Sequence, residues 1–439
     1  MKKPDLTVCM IIKNEERFLK DCLESIRDVA GQIVVVDTGS TDGSMDIARA
    51  FNAEIHHFEW CDDFSAARNA SIRYARGEWI LWLDADERLK PESVQLLRDS
   101  LRREKQAVIY QIQINNHTLD DAGAYISTAY RLFNNNKGIR FTGRIHEQVV
   151  FSGGRGERRK SAITLEHLGY ALDAETDTAK KARNQKLLER MADENPDNAY
   201  AHFTLGQHYN LVGRHTDALR HLLKALNLDQ FEKEMKASLY NVLSETYSKC
   251  GLPEEARRMA MESVDLEENQ VGGYFMLFQL ARGGKEWDAA LSWLRKVREK
   301  NRLIRSAGWH IATDVVFEEE KLNYTEAEVL ARAGRNDEAF LLLAEMINGG
   351  NTSPELWRKT LDVALAAERW QDAEKLAGSL FQKDQTDFYM LDTLGKIYIK
   401  QQRFPEATQV FEALCAQAPH NRDYRDMLGR LQAFTRAVH

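Results

Sequence analysis

The sequence predicts an α/β domain with a Rossmann-like, mostly parallel sheet, followed by an all-α repeat solenoid. Three observations predict it. Short apolar runs alternate with amphipathic helical patterns up to about residue 177. From residue 178 to 439 the pattern is helical only. Within that second part, one motif centred on a small residue keeps returning. The expected domains are therefore 1–177 and 178–439, the latter holding about six helix pairs.

The first domain can be laid out in order. LTVCMII (6–12) is a strand, followed by an amphipathic helix around Glu15–Val29. IVVV (33–36) is the next strand, then a Gly/Ser/Thr turn and a helix to Phe51. EIHHF (54–58) is a weaker strand, SAARNASIRYA (65–75) a helix and WILWL (79–83) a strand. After Pro91 a helix runs to about Arg103, and AVIYQIQI (107–114) and AYRLF (129–133) are further strands. Fully apolar runs separated by helices indicate a parallel sheet covered on both faces, with ligands beyond the carboxyl ends of the strands.

In the second domain, HFTLGQHYNLVGRHTDALRHLLKAL (202–226) places Leu205, Gly206, Tyr209, Gly213 and Ala218 at tetratricopeptide offsets. The key alanine recurs at Ala256, Ala289, Ala339, Ala373 and Ala407. The gap before Ala339 is long, which implies an insertion near Asn301–Phe317. Such arrays stack into a superhelix and hold peptides or other subunits, or serve as packing surfaces.

Apolar residues make up 43% and charged residues 29%, as in soluble globular chains. A net charge of −7 with both signs interspersed leaves no footprint for nucleic acid or an anionic membrane. Five scattered cysteines without a CxxC pair read as free thiols in a reducing compartment. With no transmembrane segment expected and too short an apolar run for a signal peptide, the cytoplasm is the expected location.

Three carboxylates close the most apolar strand in WILWLDADERL (79–89). In an extended segment, residues two apart project the same way, so Asp84 and Asp86 can both face the crevice while Glu87 turns away. Hard cations take such oxygens together with substrate phosphates, although a solvated strand end also reads this way. VVVDTGSTDGS (34–44) ends the second strand on Asp37, a candidate ligand, with Ser40 and Asp42 as caps. Arg68 either reaches a diphosphate or base, or is a surface arginine paired with Asp62 or Asp63.

KNEE, VVVDTGSTDG, DFSAARN and LDADE together resemble the inverting nucleotide-sugar glycosyltransferases of the GT-A fold. The likeness is to the family 2 branch with a C-terminal tetratricopeptide array, which includes sublancin-type peptide S-glycosyltransferases. It extends through RLFNNNKGIRFTGRIHEQV (131–149) and ITLEHLGY (163–170). The resemblance implies that Asp37 reads uracil, Asp84 contacts the ribose and Asp86 ligates a metal. Asn14, Glu15 and Arg68 fall on the nucleotide-sugar side. Glu147 is the implied general base, with Asp120 or Asp121 next in line, and His167 the second metal ligand. His146 rivals them for either role. A histidine ligand favours Mn²⁺ over Mg²⁺. The implied partners are a UDP-sugar donor and a peptide, protein or glycan acceptor, with the repeats recruiting the acceptor or forming a homodimer.

Overall fold

Four short apolar segments become parallel neighbours: β1 (Leu6–Ile12), β2 (Gln32–Asp37), β3 (Glu54–His57) and β4 (Trp79–Trp82). They lie in the order β3-β2-β1-β4 and are joined by α1 (Glu16–Ser25), α2 (Ser44–Ala50) and α3 (Phe64–Tyr74). The period of two explains why β1, β4 and the middle of β2 are apolar on both faces, whereas the edge strand β3, EIHH, is not. Val8, Met10, Leu81 and Leu83 join one core with Leu19 and Leu23 of α1, whereas Cys9, Ile80 and Trp82 join a second core on the other face.

The computed structural model describes residues 5–116, 124–153, 155–168, 174–308 and 310–438. Past β4 come β5 (Glu87–Leu89), α4 (Ser93–Ser100), β6 (Val108–Asn116) and β7 (Ala124–Asn134). A small hairpin of β8 (Ile139–Thr142) and β9 (Gln148–Phe151) precedes β10 (Glu157–His167). The main sheet continues β4-β7-β6-β10-β5. Because β7 is antiparallel to β4 and to β6, the sheet is mixed; its β3-β2-β1-β4 half is parallel throughout, and β6 and β10 form a further parallel pair. Three strands carry little sequence signal: β5 has three residues, and β9 and the charged start of β10 alternate only weakly.

The helical part begins with α5 (Ala174–Glu194) and continues as pairs. These are α6 (Ala199–Leu211) with α7 (His215–Leu228), α8 (Lys233–Lys249) with α9 (Pro253–Leu266), and α10 (Gly272–Gly283) followed by α11 (Trp287–Ala307). Then come α12 (Glu319–Arg332), α13 (Asn336–Asn348), α14 (Pro354–Ala366), α15 (Trp370–Lys383), α16 (Phe388–Lys400), α17 (Phe404–Gln417) and α18 (Arg422–Val438). The alanine in fourth place on α7, α9, α13, α15 and α17 is fully buried, as the motif requires. On α11 that place belongs to Ala290, which is 0% exposed, whereas Ala289 is half-buried. The key residue of that unit is therefore Ala290, and the neighbouring Ala289 was an error of one position.

The long gap is filled by a strand. After α11, β11 (Thr313–Val316) pairs antiparallel with the first residues of β7, Thr313 facing Ser127 and Val316 facing Ala124. Asp314 is buried, and its carboxylate accepts the backbone N–H groups of Val271 and Gly272 at 2.7–3.1 Å and that of Val315 at 2.9 Å. It thus satisfies the first amides of α10. The chain divides into two compact units, residues 1–280 with 295–317, and residues 281–294 with 318–439. β11 and the sheet it joins belong to the first.

Two outcomes follow from this packing. Ala290→Leu should lower the unfolding free energy by about 1–3 kcal/mol through overpacking, and Ala289→Leu by much less, as read by urea titration. Burial pushes the Asp314 carboxyl up to about 7, against the pull of its backbone donors. A raised native pKa means that stability is greatest below the unfolded value of about 3.9 and falls as pH rises towards 7. Asp314→Asn should flatten that fall when unfolding is compared at pH 4.5 and pH 7.5.

Candidate active site

The carboxyl ends of β1, β2 and β4 gather most of the expected residues. At the first two, the loops interlock. Asn14 takes a left-handed backbone (φ +57°) and accepts Thr41 N–H at 2.8 Å through its side chain. The opening amides at α1, those of Asn14, Glu15 and Glu16, donate to Ser40 Oγ, Ser44 Oγ and Asp42 Oδ2 at 2.7–3.1 Å. In return, Glu16 Oε2 accepts Gly43 N–H at 2.9 Å. Asp42 caps the next helix as expected, accepting Ser44 N–H at 3.0 Å, and both Ser40 and Asp42 also cap across the gap between loops. Asp37 is buried, and its carboxylate accepts the Gly39 and Ser40 amides at 3.0–3.3 Å, with His57 Nδ1 at 3.4 Å.

At the end of β4 the chain does not stay extended. It turns at Ala85–Asp86, with Glu87 N–H donating to Asp84 O at 3.0 Å, and this separates the duties of the acids. Arg68 Nη2 donates to Asp84 Oδ1 at 2.9 Å, and Arg68 Nε donates to Glu147 Oε1. Arg131 Nη1 and Nη2 reach Asp84 Oδ2 at 3.2 and 3.3 Å, and Nη2 also donates to Glu87 Oε1 at 2.6 Å. Both guanidinium carbons lie against the Trp82 ring, at 3.9 Å for Arg68 and 3.2 Å for Arg131. Glu147, Arg68, Asp84, Arg131 and Glu87 therefore form one continuous chain of charge.

Two expectations change here. Arg68 is buried and binds Asp84 and Glu147, not Asp62 or Asp63. Glu87 does not turn away to solvent or ligand; it is 1% exposed and accepts from Arg131. Burial tends to raise the Asp84 carboxyl pKa, but Arg68 and then Arg131 outweigh it and hold the group well below the usual range. Burial raises that of Glu87, with the Asp84 charge adding to the rise against Arg131. Asp84 keeps 32% of its side chain exposed despite its dense surroundings, so one edge of the carboxylate still faces the crevice.

Asp86 points elsewhere. β10 ends beside it, with Leu168 N–H donating to Asp86 O at 3.0 Å, and His167 Nε2 sits 3.2 Å from Asp86 Oδ2. His167 Nδ1 meets Asn116 Oδ1 at 2.8 Å. The Asn116 amide nitrogen faces the Ile114 carbonyl, which can only accept, so Oδ1 is the acceptor and Nδ1 carries the proton. Nε2 is then the ring nitrogen aimed at Asp86. Two electron-rich atoms at that distance favour a shared positive charge, either a proton or a cation. The spacing is also close to the roughly 3 Å between adjacent ligands of a small octahedral ion. Burial works to lower the His167 pKa, but the bond to Asp86 and the charges of Asp86, Glu87 and Asp84 raise it overall. Glu15 belongs to the same acidic group: burial and the Asp86 charge push it up to about 7, with Lys180 opposing.

An oxygen–nitrogen pair of this kind suits Mn²⁺, with the remaining positions left to phosphate and water. Among the described residues no group of three or more His, Cys, Asp or Glu side chains could hold a metal. Glu147 and His146 lie on the loop before β9, where His146 has φ +50° and an exposed side chain. That loop is fastened by Ser65 Oγ donating to Gly143 O at 2.6 Å, and by Ile145, which packs with Leu187, Leu188 and Met191 of α5. Asp120 and Asp121 lie outside the described residues.

Residues 7–165 match the model of Glycosyl transferase family 2. The chain carries a family 2 glycosyltransferase domain. Tetratricopeptide repeat models match residues 178–259 and 364–431, so the family 2 domain is followed by repeats, as the motifs implied. A TPR repeat-containing protein of Synechococcus elongatus is 35% identical over 209 residues, 46% of this chain and 51% of the relative. The prophage-derived glycosyltransferase SunS of Bacillus subtilis is 29% identical over 227 residues, 51% and 54% of the two chains. The chain spans about half the length of these curated relatives. The C-terminal part of a TPR repeat-containing protein from Cytophaga hutchinsonii aligns with a TM-score of 0.44 at 11% identity, covering 57% of this chain and 95% of that one.

Arg131 carries no signal of its own in the sequence and Glu87 shows there only as an acid expected to turn away, yet the two carry much of the electrostatics. RLF (131–133) looked like an ordinary strand, and only its pairing beside β4 brings Arg131 to Asp84. Arg131→Met leaves Glu87 and half of Asp84 unpaired in apolar surroundings and should cost about 3–5 kcal/mol in urea unfolding. The double variant Arg131→Met, Glu87→Met should recover a substantial part of that loss.

Proposed function

We propose that the chain is a metal-dependent inverting glycosyltransferase that moves a sugar from a UDP-sugar to a peptide or protein side chain. In this reading residues 1–177 are the catalytic domain, and residues 178–439 present the acceptor. The observation that carries it is the pairing of Asp86 with His167 at the end of β4, beside an Asp84 whose charge two arginines hold in place. A divalent cation held by Asp86 and His167 would neutralise charge on the leaving diphosphate.

The residues divide the remaining work. Asp37, already fixed by its own turn, offers a buried carboxylate edge to the uracil N3–H, and Asn14 and Glu15 line the same side. Asp84 presents its exposed edge to a ribose hydroxyl. Glu147 takes the acceptor proton as the acceptor atom bonds to the anomeric carbon and the sugar–phosphate bond breaks, its electron pair leaving with UDP. In the ligand-free chain the Glu147 carboxylate is held in an ion pair with Arg68. The diphosphate is a competing partner for Arg68, so donor binding is what releases the carboxylate. His146, exposed on the same strained loop, stands on the acceptor side.

The repeats reach this loop directly. Ile145 sits in a core built from α5 to α9, two residues before Glu147, which supports a role for the array in placing the acceptor.

UDP with Mn²⁺ should raise the melting temperature, by the equivalent of about 2.7 kcal/mol at a hundredfold excess over Kd. Asp86→Ala should abolish most of that shift, and an unchanged shift would contradict the metal role. Glu147→Gln should keep the shift while slowing UDP release from the donor by about 100-fold or more. Full activity in Glu147→Gln would move the base elsewhere.

A further inference from the structure

The mechanism leaves Asn116 unused, although it is almost completely buried and its side chain is hydrogen-bonded on both its oxygen and its nitrogen. Its Oδ1 accepts from His167 Nδ1 at 2.8 Å, and its Nδ2 donates to Ser127 Oγ at 2.9 Å and to Ile114 O at 3.1 Å. Asn116 and His167 are also direct neighbours across β6 and β10, so the ring is aligned by the ladder as well as by the side chain.

A histidine offers either ring nitrogen, and which one is presented depends on the partner of the other. Here the two acceptor groups facing Asn116 Nδ2 decide the orientation of its amide. A carbonyl on one side and a hydroxyl on the other keep Oδ1 turned towards the imidazole. The proton stays on Nδ1, and Nε2 faces Asp86.

Ser127 is held in turn by the strand that the repeat region contributes. It stands opposite Thr313 of β11, whose N–H donates to Ser238 Oγ of α8 at 3.1 Å. The next residue, Thr128, donates its hydroxyl to Ala312 O at 3.3 Å. A continuous path therefore runs from α8 through β11, Ser127 and Asn116 to His167 and Asp86.

We propose that Asn116 is a positioning residue that fixes the His167 tautomer for cation binding, with Ser127 seated by β11 as its support. This rests on the reading of Asp86 and His167 as the metal pair. Partners of this kind on a ligating histidine typically change metal affinity 10- to 100-fold when removed. Asn116→Leu replaces the acceptor with an apolar group of similar size and lets the ring turn or change tautomer. Asn116→Asp keeps an acceptor for Nδ1–H and should act as the conservative rescue.

The test is a Mn²⁺ titration of the full chain with UDP present, followed by electron paramagnetic resonance, with melting temperatures recorded for every variant. The expected result is a 10- to 100-fold weaker Mn²⁺ affinity for Asn116→Leu, a smaller loss for Ser127→Ala, and an affinity near the parent's for Asn116→Asp. Parental affinity in Asn116→Leu would overturn this inference alone. Equal weakening in Asn116→Leu and Asn116→Asp, with lowered melting temperatures in both, would reduce Asn116 to a packing role and overturn it as well. If the parent chain itself takes up no Mn²⁺, the metal reading of Asp86 and His167 fails, and this inference with it.

Discussion

The carboxylate of Asp84 is the constraint on which the site depends. It ends the most deeply buried strand, where an isolated charge would be costly, and two arginines from separate elements neutralise it. Arg68 comes from α3 and Arg131 from β7, and both rest on Trp82 of β4 itself. One ion cluster thus ties the all-parallel half of the sheet to β7, the antiparallel strand beside it. It also fixes where the backbone turns after Asp84, and so where Asp86 must point. Because Arg68 extends the cluster to Glu147, the strand end and the loop before β9 share one electrostatic unit.

A second consequence concerns the repeats. The array is not merely appended to a finished catalytic domain. β11, which follows α11, supplies a strand to β7, and Ile145 from the loop before β9 packs into the core of the first repeats. Both contacts lie inside the first compact unit. The elements that carry the site are thus held partly by segments later in the chain, β11 lying more than a hundred positions beyond the strand it pairs with. This is a reason for the long gap between the third and fourth repeat alanines: it is spent on reaching the sheet.

Much of the fold was legible in the sequence because burial on both faces leaves continuous apolar runs, and β1, β2 and β4 are such runs. The repeats were legible from a small residue that must be buried between paired helices, even where Ala289 was taken for Ala290. The loops after β1 and β2 were legible from their carboxylates and glycines. Partnerships set by tertiary pairing were not. β7 gave only the pattern of a strand, so nothing distinguished Arg131 from a solvent-facing residue. Asn116 sits at the polar end of a strand, and its bond to His167 exists only because β6 and β10 become parallel neighbours. Glu87 looked like the acid that turns away from the site, and the turn at Ala85–Asp86 made it the buried one.

The most direct measurement is a crystal structure of the full chain with UDP and Mn²⁺, with anomalous scattering recorded at the manganese edge. The account predicts an anomalous peak shared by Asp86 and His167 Nε2, with Asp84 still bound by Arg131 and Glu147 released from Arg68. A peak on Asp84 or away from this strand end, or an Asp86 and His167 pair that stays in direct contact with UDP bound, would contradict it.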